Sequence, residues 1–306
     1  MSRRKSNEIV LQEVVMKKMM LVMVALLLAL PMFSAQAGTK AATKYPIVLS
    51  HGMGANAEVM GITDYWGKIP KTLRENGAQV FITSGNPMQS KEYKALEWKA
   101  KVKEILAITG AKKINLIGHS DGGLYTRYAI TNLGMAPYVA SYTSMSSPHR
   151  GSPVADAIMN FGATTGLTNA IAGLLDFVYG FLFGVPGTDS EINGIQETTW
   201  WMKTVFNPNV PDMAGVYYQS YGSDCKTIIG GQIMTPLWLA VKPVEGANDG
   251  LVSVSSAKWG NYRGTLTGWF GVNHLSEVGL LSLPTPGYDA PTHFTNIAAD
   301  LKNRGF

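Results

Sequence analysis

Gly118-His119-Ser120-Asp121-Gly122 has the residue types and spacing that covalent chemistry needs. A serine hydroxyl is a weak nucleophile until an imidazole takes its proton, and the imidazole works best when a carboxylate fixes its tautomer. The chemistry in view is acyl transfer through an acyl-enzyme. G-x-S-x-G recurs by chance in a chain with 33 glycines, so the flanks must carry the argument. Before it, Ile114, Leu116 and Ile117 form the short apolar run of a buried parallel strand; after it, Gly123 opens a stretch at helical spacing. Strand, tight turn and helix put Ser120 at a strained apex and aim a helix N-terminus at a developing oxyanion. A side chain at Gly118 or Gly122 would strike the neighbouring backbone. The bland alternative, an ordinary Gly-Ser turn, does not account for that context.

A base and an orienting acid must follow, in the order serine, acid, histidine. Of the five histidines, His51 and His119 belong to an oxyanion loop and to the elbow itself. His149 comes too soon after Ser120 to leave room for an acid-bearing strand, and His293 follows Pro291 close to a terminal helix. His274, in the Gly/Asn loop Gly271-Val272-Asn273-His274, is the candidate base. Asp249 is the candidate acid, because Asn248-Asp249-Gly250 is a turn leading into an apolar run; its plainer reading is an Asx turn. Lys44 to Ser50 reads as a strand running into His51-Gly52-Met53-Gly54, where glycines let backbone N–H groups turn inward as oxyanion donors.

These residues need a scaffold, and the remaining patterns supply one. A helix over Ile62 to Glu75 begins or breaks at Pro70, and Ala78 to Thr83 is a second strand. Ser90 to Thr109 reads as an amphipathic helix with Leu96, Val102, Ile105 and Leu106 on one face and lysines opposite. Val139 to Met145 is a strand, Ala214 to Tyr221 and Thr227 to Gly230 supply later ones, and a helix over Thr295 to Lys302 ends the chain. The alternation predicts a mostly parallel sheet with helices on both faces. Residues 152 to 200 differ, being apolar and glycine-broken, with Trp200-Trp201 and Asn207-Pro208 at the far boundary. They read either as a buried core helix or, preferred here, as an inserted helical lid.

The 306 residues are 46% hydrophobic and 15% charged, the balance of a core-forming chain. Of the formal charge of +5, residues 1 to 37 hold +3, which leaves too little for a nucleic-acid surface. Lys17-Lys18, the apolar run to Phe33 and Ala35-Gln36-Ala37 have the layout of a secretory signal peptide cleaved near Ala37-Gly38, with Met16 an alternative start. A secreted single domain over residues 38 to 306 is the expectation. Cys225, the one cysteine, has no elbow around it and reads as an unreactive thiol.

Together these motifs resemble the bacterial true lipases of the Pseudomonas, Burkholderia and Proteus type, within the α/β-hydrolase superfamily. The resemblance rests on Tyr45-Pro46-Ile47-Val48-Leu49-Ser50-His51-Gly52-Met53, Asp64-Tyr65-Trp66, Gly77-Ala78-Gln79-Val80 and Asn115-Leu116-Ile117-Gly118-His119-Ser120. It continues through Pro148-His149-Arg150-Gly151-Ser152, Asn248-Asp249-Gly250-Leu251-Val252 and Asn273-His274-Leu275. It implies the α/β-hydrolase fold, Ser120 as nucleophile, His274 as base, Asp249 as its orienter, and the N–H groups of Met53 and Asp121 as oxyanion donors. It implies long-chain acylglycerol substrates at a lipid–water interface, and it leaves a folding chaperone undecided. Such lipases commonly hold calcium through two aspartates, one of them two positions after the catalytic histidine. That position here is Ser276, so no cofactor is expected, with Glu277 the only substitute in view. The paired cysteines of the Pseudomonas and Burkholderia members are also incomplete. Asp121 stands where many relatives have histidine or glutamine, and its carboxylate is expected to point away from the oxyanion. An esterase, a phospholipase, a polyester hydrolase and a relic lipid-binding protein are the alternatives.

Overall fold

A six-stranded sheet, every neighbouring pair parallel, runs in the order β4-β1-β5-β6-β7-β8. Its strands are β1 (Ile47–Ser50), β4 (Val80–Thr83), β5 (Ile114–His119), β6 (Val139–Met145), β7 (Tyr217–Ser223) and β8 (Asn261–Leu266). A separate two-stranded antiparallel pair, β2 (Glu58–Val59) and β3 (Thr63–Asp64), follows β1. The computed structural model describes residues 39–53, 58–59, 63–86, 88–159, 190–280 and 284–306. The expected signal peptide over residues 1–37 and residues 160–189 of the expected lid lie outside the described residues.

The chain enters at β1, crosses one way to β4, then returns to β5 on the other side of β1 and continues to β6. The strand order therefore reverses between β1 and β5, and crevices at such a reversal, beyond the carboxyl ends of the strands, are where open α/β sheets bind ligands. His51-Gly52-Met53 and Ser120 both lie there, one after each strand.

Both faces of the sheet are covered, because successive side chains along a strand point to opposite sides. Ile47, Leu49, Ile117 and Met145 pack on one face with the helices Ile69–Glu75, Thr235–Glu245 and Ala290–Asn303. Val48, Ile114, Leu116 and Tyr142 pack on the other with the helices Lys91–Thr109 and Asp121–Asn132. Among the described residues no helix is long and apolar enough to cross a membrane.

Three expectations need correction, and one strand was not foreseen. In the Lys91–Thr109 helix Leu96 is 55% exposed, whereas Lys91 and Lys94 are buried beside Ala95, Trp98 and Val102. The lysines are drawn inside by carboxylates from other segments, which the pattern of one helix does not contain. Thr227 to Gly230 is no strand: Ile228–Gly231 is a helical turn, capped by the Thr227 hydroxyl accepting from Gly230 N at 3.2 Å. The true last strand, β8, alternates exposed and half-buried residues as an edge strand does, so it lacks an apolar run. The terminal helix starts at Ala290, earlier than expected, because Asp289 caps it through Thr292 N at 2.9 Å and Pro291 is tolerated in the first turn.

Candidate active site

Ser120 is the turn between β5 and the Asp121–Asn132 helix, with φ 56° and ψ −132°. The flanking glycines are required by space. A Cβ on Gly118 would lie 2.7 Å from Gly122 O, and one on Gly122 would lie 2.2 Å from Ser50 O, both unyielding backbone. Gly52 fits between the serine and Tyr65: a Cβ there would come within 2.8 Å of Ser120 Cβ, 3.2 Å of its hydroxyl and 2.8 Å of the Tyr65 hydroxyl. The backbone carrying Met53 is thereby set against the nucleophile, and Asp121 occupies the first position of the elbow helix, with its N–H at the helix's positive end.

Asp249 and His274 meet. His274 Nδ1 stands 2.8 Å from Asp249 Oδ2, both side chains are buried, and His274 N donates to Asp249 O at 3.0 Å. The other carboxylate oxygen accepts from Leu251 N at 2.9 Å and Val252 N at 2.7 Å. The two readings of Asp249 thus both hold, one oxygen closing the Asx turn and the other fixing the imidazole. Burial works to raise the Asp249 carboxyl, but His274 and the two backbone donors hold it below the usual 3.8. For His274, burial works to lower the pKa, and the Asp249 carboxylate outweighs it, so the imidazole sits above 6.5. Among the described residues the Ser120 hydroxyl has no hydrogen bond to this imidazole. They are linked at one remove, because the ring of His119, the residue before Ser120, lies 4.6 Å from that of His274. Catalytic hydrogen bonds often tighten only with substrate bound.

Asp121 is buried, with its carboxylate on Lys91 Nζ at 3.0 Å and on Lys94 Nζ. Lys91 also reaches Glu197 Oε1 at 2.6 Å. Burial works against each of these charges. Lys91, with two carboxylates, is held above 10.5; Lys94, with Asp121 as its direct partner, falls below it; and Asp121 is driven well below its usual range by the two ammonium groups. This cluster ties Glu197 to the residue after Ser120. Sequence reasoning missed it, although Lys91, Lys94, Trp98 and Val102 share the spacing of one helix face.

The remaining histidines have structural partners. His51 bonds Gly52 O at 2.9 Å, with burial lowering it to about 4. His149 lies between Arg127 at 3.0 Å and Ser144 at 2.9 Å, and His293 is half-buried in the terminal helix against Tyr221. The Cys225 thiol is buried and pushed up by burial.

The residues at the position the resemblance gives to calcium do not fit that ion. The Ser276 hydroxyl is closed into its own turn, accepting from Asn273 N and donating to Asn273 O. Glu277 is fully buried, and its Oε2 accepts from the hydroxyls of Ser146 and Ser223, each at 2.6 Å. His119, His274 and Glu277 do converge within 4.8 Å, but two imidazoles and one carboxylate are not a calcium donor set.

Comparison with known proteins places the chain among lipases. The palmitoyl protein thioesterase family model matches residues 46–180. A triacylglycerol lipase of Pseudarthrobacter phenanthrenivorans is 30% identical over 299 residues, spanning 80% of this chain and 92% of that protein. One of Vibrio cholerae is 32% identical over 298 residues, spanning 85% and 91%. Among solved structures, mature Bacillus licheniformis lipase BlEst2 superposes with a TM-score of 0.61 at 20% identity, covering 77% of this chain and 87% of its own. Staphylococcus hyicus lipase does so with a TM-score of 0.60 at 16% identity, covering 86% and 97%. Both share the α/β-hydrolase fold seen here.

Proposed function

The chain belongs to the bacterial true lipases and is a carboxylic ester hydrolase, and from that premise we propose that Ser120, His274 and Asp249 are its catalytic triad. Ser120 Oγ attacks the ester carbonyl while His274 Nε2 takes the hydroxyl proton. Asp249 holds the Nδ1–H and stabilises the imidazolium that forms. The negative oxygen of the tetrahedral intermediate accepts from Met53 N–H and Asp121 N–H, and drawing the Asp121 carboxylate onto two lysines offsets its opposing field. Collapse releases the alcohol with the proton from His274. Water then attacks the acyl-enzyme by the same proton route and frees the fatty acid.

The observation that carries this proposal is the strain at Ser120. A non-glycine residue at φ 56° costs about 1–3 kcal/mol, and such strain is retained where it presents a reacting group. The proposed substrates are long-chain acylglycerols at a lipid–water interface, with residues 152–200 covering the site as a lid and residues 1–37 directing secretion.

The test is turnover of emulsified long-chain triglyceride by the mature protein and its Ser120→Ala variant. The variant is expected to lose on the order of 10⁴-fold or more of kcat. Full turnover by the alanine protein would remove Ser120 as nucleophile. Brisk cleavage of soluble short esters with none of the emulsion would make the protein an esterase. Mapping the peptide labelled by an organophosphonate identifies the nucleophile independently.

A further inference from the structure

His119 precedes the nucleophile, is fully buried and takes no part in the steps above. Its Nδ1 is bonded to the hydroxyl of Tyr65, and the same hydroxyl accepts from Gly52 N at 3.0 Å. Its Nε2 lies 2.5 Å from Glu277 Oε1, an ion-pair contact without hydrogen-bond alignment, and Glu277 is three residues past His274. We propose that Tyr65 and His119 form a positioning relay, Gly52 N–H to Tyr65 O–H to His119 to Glu277, holding the oxyanion loop in register with the nucleophile and the base loop. The proposal rests on the assignment of Ser120, Met53 and His274 above.

The direction of the relay follows from counting protons. Gly52 N–H can only donate, so Tyr65 accepts there, and its single proton is free to go to His119 Nδ1. Burial keeps His119 below its usual pKa, so the ring is neutral and its one proton is on Nε2, facing the Glu277 carboxylate. The far end is anchored. Glu277 Oε2 holds Ser146 and Ser223, and the Glu277 carbonyl accepts from Tyr288 Oη at 2.6 Å. Ser146 is itself strained, at φ 42°, in the loop after β6. The relay thus crosses from the end of β1, past the end of β5, to the histidine loop.

Position matters most at Gly52, which leaves no room for a side chain between itself and Ser120 or Tyr65 Oη. Any shift of Gly52 carries the Met53 N–H with it, and an oxyanion donor must stand within about 2.7–3.1 Å of where the charge develops. Tyr65 touches neither substrate nor reacting atoms in this account; it acts through Gly52.

Two measurements test the relay. Nitrogen-15 NMR of the histidine rings in the wild-type protein is expected to find His119 neutral with its proton on Nε2; a proton on Nδ1, or on both nitrogens, would overturn it. Tyr65→Phe is expected to lower kcat on a soluble ester about 10- to 100-fold with KM little changed. It should lower kcat/KM for the ester more than for the matching thionoester, whose sulfur accepts hydrogen bonds poorly. Equal losses on both substrates, or wild-type kcat, would overturn the relay; if the variant does not fold, the tautomer decides. The two failures are distinguishable: an active Ser120→Ala protein overturns the nucleophile, whereas an inactive one with full activity in Tyr65→Phe overturns the relay alone.

Discussion

His119 and Asp121 stand on either side of Ser120, both buried, and the fold supports them by different chemistry. His119 is kept neutral and joined to Tyr65, with Glu277 at its other nitrogen. Asp121 is kept ionised and joined to Lys91 and Lys94, with Glu197 beyond them. The difference follows from what each position does. The hydrogen bonds from Gly52 through Tyr65 to His119 are sensitive to geometry and suit the side that sets the proposed donor loop. A carboxylate beside an oxyanion site would repel the developing charge, so two cations must balance it. Buried charges of this kind are costly to strip of a partner, whereas a neutral bond is less so.

The largest effect expected from breaking this contrast is on the ionic side. Asp121→Ala strands Lys94 in the interior, leaves Lys91 with Glu197 alone, and should lower unfolding free energy by about 3–5 kcal/mol, read from urea midpoints. A loss below about 1 kcal/mol would mean that the cluster does not carry buried charge.

Next comes the pH profile of kcat/KM. The base must be neutral to act, and His274 is raised above 6.5, so activity should fall as pH drops through a midpoint above that value. Because His119 titrates lower, the limb should have the slope of one proton. Asp249→Asn should move the midpoint down by removing the carboxylate that raises it; an unmoved midpoint would assign the limb to another group.

The smallest effect concerns Glu197. Burial raises its carboxyl from 4.5 to about 7, against the pull of Lys91. The folded state then holds a proton the unfolded state has lost, so this residue's contribution to stability declines as pH rises from 4.5 to 7 and is level above. Glu197→Gln should remove that decline, measured as melting temperature against pH, and an unchanged slope would place the titration elsewhere.

Much of the site was legible because its signals are local. Gly118, Ser120 and Gly122 announce the elbow by a spacing contained in five residues, and the runs in β1 and β5 are mostly apolar because both faces of those strands are covered. Asp249 and His274 could be chosen from chain order and turn context. What was not legible depends on partners distant in sequence. Lys91 and Lys94 looked like a solvated face because Asp121 and Glu197 lie 30 and 106 residues away. Strand β8 was hidden by its place at the sheet edge, where one side meets water and no apolar run is needed.

The sequence by itself determined the elbow, the chain order Ser120, Asp249, His274 of the proposed triad, and the alternation that makes a parallel sheet, since local turn chemistry and hydrophobic periodicity act over short spans. Only the tertiary structure decided how the polar residues around Ser120 are satisfied. Glu277 was read as a substitute calcium ligand, yet it lies against His119 with two serine hydroxyls on its other oxygen, and Tyr65 joins two loops through one hydroxyl. A buried polar group takes whichever partner the packing brings within about 3 Å, and that choice is made by the folded chain.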